Sequence, residues 1–137
     1  MIQYKLWNNI LGWISFAIAM VVYSMTVEPS VPLWDCGEFI SASYSLQVVH
    51  PPGAPLFLLL GRLFSLFAPS AEHVALAVNM LSVVASALTV GFTFWITTHF
   101  AVKALHLNVQ NPTVSVENSM TIFGSGLIAA LALTFMD

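Results

Sequence analysis

The sequence predicts an all-α, polytopic integral membrane protein with three transmembrane helices and an outer loop carrying two interfacial helices. Three observations predict it. Of 137 residues, 58% are hydrophobic and 7% charged, where a soluble domain carries about 25% charged residues. The mean hydropathy is +0.88. The few charged side chains are spaced so that long uncharged stretches lie between them. This composition excludes a soluble enzyme and a disordered chain. Three basic residues, Lys5, Arg62 and Lys103, exclude a nucleic-acid binder, which needs clustered cations against phosphate. The single Cys36 excludes an intrachain disulfide and a multi-cysteine metal site.

The first predicted span covers residues 6–27. Its 22 residues reach roughly 33 Å at helical rise, enough for a bilayer core of roughly 30 Å. Trp7 and Trp13 near its start and Tyr23 near its end suit the two interfaces. The apolar run is too long for the core of a signal peptide, so an uncleaved anchor is expected. The second span, 73–102, has length to spare, and Ser82, Ser86 and Gly91 would let another helix approach closely. The third covers 118–137. It ends at Asp137 without a cap or stop signal, as expected of the N-terminal piece of a longer protein.

Residues 39–61 are also uncharged but do not read as a span. His50-Pro51-Pro52-Gly53-Ala54-Pro55 interrupts them, and prolines end a helix by removing donors and clashing with the preceding turn. Two short helices are expected instead. One starts near Asp35, with Phe39, Ala42, Leu46 and Val49 as an apolar stripe. The other starts at Pro55 and shows Leu56, Leu59, Leu60, Leu63, Phe64 and Phe67 on one face. At roughly 20 Å the second is too short to cross and should lie at the interface. Lys5 and Lys103 on the cytoplasmic side satisfy the positive-inside tendency. That puts residues 28–72 in an outer loop and 103–117 in a cytoplasmic one.

The outer loop holds the residues with chemical potential. Asp35 and Glu38 lie three apart, on one face of a helix. A carboxylate beside an apolar interface can act as a base. Arg62 can grip a phosphate through two parallel contacts. Each has a plainer reading: Asp35 as an N-cap, His50 as a turn residue, Arg62 as a snorkelling anchor. Asn79 reads as a helix–helix hydrogen-bond partner. No metal-ligand spacing and no phosphate-binding glycine loop appears in the sequence. Cofactors stay undetermined: a divalent metal could sit between acids and phosphate, but nothing requires one.

The segment Pro32-Leu33-Trp34-Asp35-Cys36-Gly37-Glu38-Phe39-Ile40, then His50-Pro51-Pro52-Gly53-Ala54-Pro55, then Leu60-Gly61-Arg62-Leu63-Phe64, resembles the opening of a bacterial polytopic membrane family, formerly a domain of unknown function. That family is related to the eukaryotic transmembrane protein O-mannosyltransferases of the GT-C glycosyltransferase superfamily. The resemblance covers most of the chain. It implies a sugar donor on a polyprenyl phosphate, a protein or glycan acceptor, and transfer at the non-cytoplasmic face of a membrane, here the bacterial inner membrane. It also implies that an acid early in the first outer loop is central, here Asp35. We expect Asp35 to activate the acceptor hydroxyl, with Glu38 and His50 assisting and Arg62 on the donor phosphate. Trp34, Gly37, Pro51, Pro52, Gly53 and Pro55 form the structural motif around them, and Asp137 is a candidate second acid. This stretch alone is expected to be inactive. The alternatives are a non-enzymatic scaffold or transporter component, or a lipid-linked glycan ligase or polymerase. A transporter would place ionisable groups inside its spans, and their interiors hold no Asp, Glu, Lys or Arg.

Overall fold

The structure, a computed structural model, describes residues 2–107 and 113–136. It is all-helical apart from a two-residue antiparallel ladder pairing β1 (Ile2–Gln3) with β2 (Thr113–Val114). The helices are α1 (Tyr4–Thr26), α2 (Cys36–Ser45), α3 (Pro55–Ser65), α4 (Val74–Ala104) and α5 (Val116–Phe135), with a 3-10 turn at Ala71–His73 leading into α4. Three helical segments are long and apolar enough to cross a membrane: Tyr4–Thr26, Ala71–Ala104 and Val116–Phe135. The protein is an integral membrane protein.

The chain divides into two compact units, Met1–Val22 with Ser86–Asp137, and Tyr23–Ala85. The first is built from α1, the latter part of α4, and α5. Small residues let these helices approach. A side chain on Gly12 would meet the Trp95 indole, and one on Gly126 would lie 2.7 Å from Thr98 Cγ2 and 2.9 Å from the Phe94 ring. Gly91 faces Phe16, so of the three small residues expected to receive a helix it is the one that does; Ser82 and Ser86 are exposed. Phe94, Thr98, Ile122 and Ala130 are fully or almost fully buried at the centre. Trp13, Val21, Phe92, Ile128 and Phe135 are exposed on the outside, the pattern a lipid solvent permits and water does not. The helical hydroxyls do not demand external partners: Ser15, Thr98, Ser119 and Thr134 each donate to a carbonyl three or four residues earlier. α5 begins at Val116, two residues before the expected start. Ser115 caps it by accepting from the Asn118 N–H, and Glu117 sits in the first turn, where the helix dipole favours an acid.

The second unit holds α2 and α3 against each other and the first turns of α4. Its core is Ala42, Val49 and Leu58, with Phe39 and Phe57 packed around them. Gly61 sets the spacing: a Cβ there would lie 2.9 Å from Ser43 Cβ and 3.5 Å from Val78 Cγ1. The sequence misplaced the end of α2. The helix stops at Ser45, where Leu46 turns left-handed (φ 53°) and the Leu46 and Gln47 N–H groups both donate to the Ala42 carbonyl. Leu46 is therefore exposed, and Val49 reaches the core from a non-helical segment. On α3, Pro55 takes the first helical position, where its missing N–H costs nothing. The packed face of α3 is Leu58, Gly61 and Ser65; Leu56, Leu59, Leu60, Leu63 and Phe67 are exposed.

Candidate active site

Asp35 occupies the N-cap position of α2, but its side chain makes no capping hydrogen bond. Asp35 thus takes the cap position without a side-chain cap bond, and its side chain is 67% exposed. One turn on, Glu38 presents its carboxylate on the same side. The chain then leaves α2 and turns back through His50-Pro51-Pro52-Gly53. The Gly53 N–H donates to the His50 carbonyl at 3.0 Å, the Pro51–Pro52 peptide is cis, and Gly53 has φ 77°, a conformation that glycine adopts without penalty.

This turn delivers His50 to the two acids. Its backbone N–H donates to Glu38 Oε1 at 2.8 Å, and its Nδ1 lies 2.7 Å from Glu38 Oε2. Its Nε2 lies 3.9 Å from Asp35 Oδ2. The imidazole therefore bridges the two carboxylates, one through each nitrogen, and its ring packs edge-on against Phe39. The hydrogen bond to Glu38 raises the His50 pKa above 6.5, with further help from the charges of Glu38 and then Asp35. The same contact, through the ring and then the backbone N–H, lowers Glu38 below 4.5. The cluster thus favours an imidazolium clamped by Glu38, with Asp35 as the acid not committed to a hydrogen bond.

Pairing across twelve residues, His50 with Glu38, was not legible in the spacing, although all three residues were. Trp34 precedes the cluster with φ 67° and is 94% exposed. Gly37 lies under Val31, where a Cβ would come within 3.1 Å. Asn79, expected to join helices, instead donates to the backbone carbonyls of Glu28 and Ser30 and so holds the chain that leads to Asp35.

Arg62 is not part of the cluster. Its Nη1 donates to the Tyr44 carbonyl at 2.7 Å, and its guanidinium lies over the Tyr44 ring, 5.3 Å from the centroid. Tyr44 is in the last turn of α2 and Asp35 precedes the first, roughly 14 Å away along the axis. Arg62 thus supports the C-terminal end of α2, where carbonyls are unpaired and a cation is favoured. Among the described residues it has no ion pair. Asp137, the candidate second acid, lies outside the described residues. Among those described, no three His, Cys, Asp or Glu side chains are arranged to hold a metal ion.

A family model described as the protein O-mannosyl-transferase TMEM260 N-terminal domain matches residues 35–137. The chain belongs to this family. Asp35, Glu38, His50 and Arg62 all fall inside the match. The chain is similar to the protein O-mannosyl-transferase TMEM260 of Mus musculus, 39% identical over 80 residues that make up 58% of the chain and 11% of that relative. It is also similar to the protein O-mannosyl-transferase tmem260 of Dictyostelium discoideum, 47% identical over 55 residues, 40% of the chain and 7% of the relative. It thus matches only a small part of the length of these curated relatives. The relation to O-mannosyltransferases read from the motifs agrees with these findings. No solved structure matches the chain.

Proposed function

We propose that the full-length protein is a GT-C-type glycosyltransferase, of the kind the bacterial family resemblance implies. In this reading residues 1–137 are the N-terminal portion of its transmembrane domain. It moves a sugar from a polyprenyl-phosphate donor to an acceptor hydroxyl, a protein Ser or Thr, at the non-cytoplasmic face. The observation that carries this reading is the His50 bridge between Asp35 and Glu38 at the head of α2, within a chain of the O-mannosyl-transferase family. Asp35 takes the proton as the acceptor O–H oxygen attacks the anomeric carbon, and the bond from that carbon to the phosphate oxygen breaks. The anomeric configuration inverts, and polyprenyl phosphate leaves with the bonding pair. Glu38 fixes His50, and His50 lies within ion-pair range of the Asp35 carboxylate.

The position of Arg62 narrows its role. In this structure Arg62 is engaged at Tyr44, in the last turn of α2, at the opposite end of the helix from Asp35. A phosphate gripped by the remaining N–H groups of Arg62 would sit at the far end of α2. The position of Lys5 and Lys103 supports an outer placement of residues 28–72.

The test is glycopeptide mass spectrometry on cells carrying the full-length gene as wild type, deletion or Asp35→Asn, at matched expression. A defined hexose should disappear from membrane or secreted proteins in both mutants. Loss in the deletion alone would remove Asp35 as the base. No loss in either would remove protein O-glycosylation.

A further inference from the structure

Beside the acid cluster lies an apolar groove of about 380 Å³, lined by Cys36, Phe39, Ile40, Ala54, Phe57, Asn79 and Ser82. It falls at the small end of the ~300–1,000 Å³ typical of ligand sites and has their usual composition, an apolar body with a few polar groups. It adjoins the cluster through two residues. Cys36 follows Asp35 directly, and Phe39 is the ring against which His50 packs. We propose that this groove holds an apolar side chain next to the accepting hydroxyl, so that the enzyme prefers Ser or Thr flanked by an aliphatic or aromatic residue and rejects an acidic neighbour. The inference rests on the transferase reading and names the acceptor class for that site.

Charge decides between acceptor and donor as the occupant. No Lys or Arg lines the groove. The acids Asp35 and Glu38 precede its lining residues Cys36 and Phe39 directly in the chain, and Asn79 in its wall donates to the Glu28 carbonyl. Arg62, the cation of the loop, is at the other end of α2. A phosphate-linked chain entering here would bring its anion against two carboxylates that share the single imidazole of His50 and so keep a net negative charge. A neutral apolar side chain meets no such repulsion.

The experiment uses full-length protein in native membranes and peptides that differ only beside one Ser: Gly, Leu or Asp. Leu should lower KM about tenfold relative to Gly, and Asp should raise it. Ser82→Phe, which fills the groove from an exposed helical position, should bring the Leu-to-Gly ratio close to one. Independently of turnover, the Leu peptide should slow maleimide labelling of Cys36, read by mass spectrometry of its peptide, and the Gly peptide should not. A flat flanking preference, or one that survives Ser82→Phe, would overturn the proposal. So would protection of Cys36 by polyprenyl phosphate instead of peptide. If wild type transfers no sugar to any peptide but the Leu peptide still protects Cys36, the transferase reading fails and the groove assignment stands.

Discussion

The two units use their polar side chains in opposite ways. In the unit of α1, the latter α4 and α5, hydroxyls fold back onto their own helices, and a long-range side-chain bond from the Trp95 Nε1–H to the Asn8 carbonyl joins helix to helix. In the unit of residues 23–85, side chains reach across the chain: His50 to Glu38, Arg62 to the Tyr44 carbonyl, Asn79 to the Glu28 and Ser30 carbonyls. A segment that crosses lipid must satisfy its polar groups locally. A segment outside can hold exposed charges in a fixed arrangement.

After Asp35 itself, the comparison is broken most severely at Glu38. Glu38→Ala releases both contacts that fix His50. Turnover of the full-length enzyme should fall about 100-fold, the scale of a misplaced catalytic group, with little change in yield of folded protein. A fall in yield matching the fall in rate would make Glu38 structural.

Next come the two glycines that allow close approach, one in each unit. Gly126→Ala pushes a methyl into Phe94 and Thr98, both completely buried. Gly61→Ala pushes one into Ser43, also completely buried. Each should cost about 1–3 kcal/mol by overpacking, read as lower thermal stability in detergent. Gly61→Ala should also reduce turnover, because α2 carries the acids. Gly126→Ala should leave the rate per folded molecule unchanged.

A smaller effect is expected in the titration of His50. Its raised pKa means that its contribution to stability is complete below 6.5 and is lost as pH rises through the higher folded value. The lowered Glu38 contributes above 4.5 and loses that contribution as pH falls through its folded value. The clamp is therefore strongest between the Glu38 and His50 values. NMR of labelled histidine should place His50 above 6.5, and Glu38→Gln should bring it down towards that value. An unshifted His50 in the wild type would contradict the bridge.

The smallest effect is at Arg62. Arg62→Lys keeps the charge but loses the planar contact with Tyr44. A half-exposed contact of this kind is worth about 1 kcal/mol or less, measured by urea unfolding in detergent. A large loss of donor affinity with stability intact would restore Arg62 to the phosphate.

Much of this was legible in the sequence, for identifiable reasons. Charge gaps reveal the long helices because lipid excludes charge. Pro51, Pro52 and Pro55 reveal the break between α2 and α3 because proline cannot continue a helix. The apolar stripe of α3 was also legible, but periodicity cannot tell which face packs. Leu58, Gly61 and Ser65 pack because Gly61 lets α2 come close. The end of α2 was hidden because a left-handed Leu46 has no sequence signal of the kind Gly or Asn would give. Asp35, Glu38 and His50 could each be named, but their assembly depends on the turn at residues 50–53, and the diversion of Arg62 depends on α2 and α3 being packed.

The central claim is that the base of the reaction is Asp35, the acid at the head of α2. Purified full-length enzyme with a lipid-linked hexose donor and a Ser peptide would test it, comparing Asp35→Asn with Glu117→Gln, an acid in the first turn of α5. The account predicts a fall in initial rate of about 10²–10⁴-fold for Asp35→Asn, the range for loss of a general base, and a rate within about twofold of wild type for Glu117→Gln. Near-normal turnover by Asp35→Asn would contradict it.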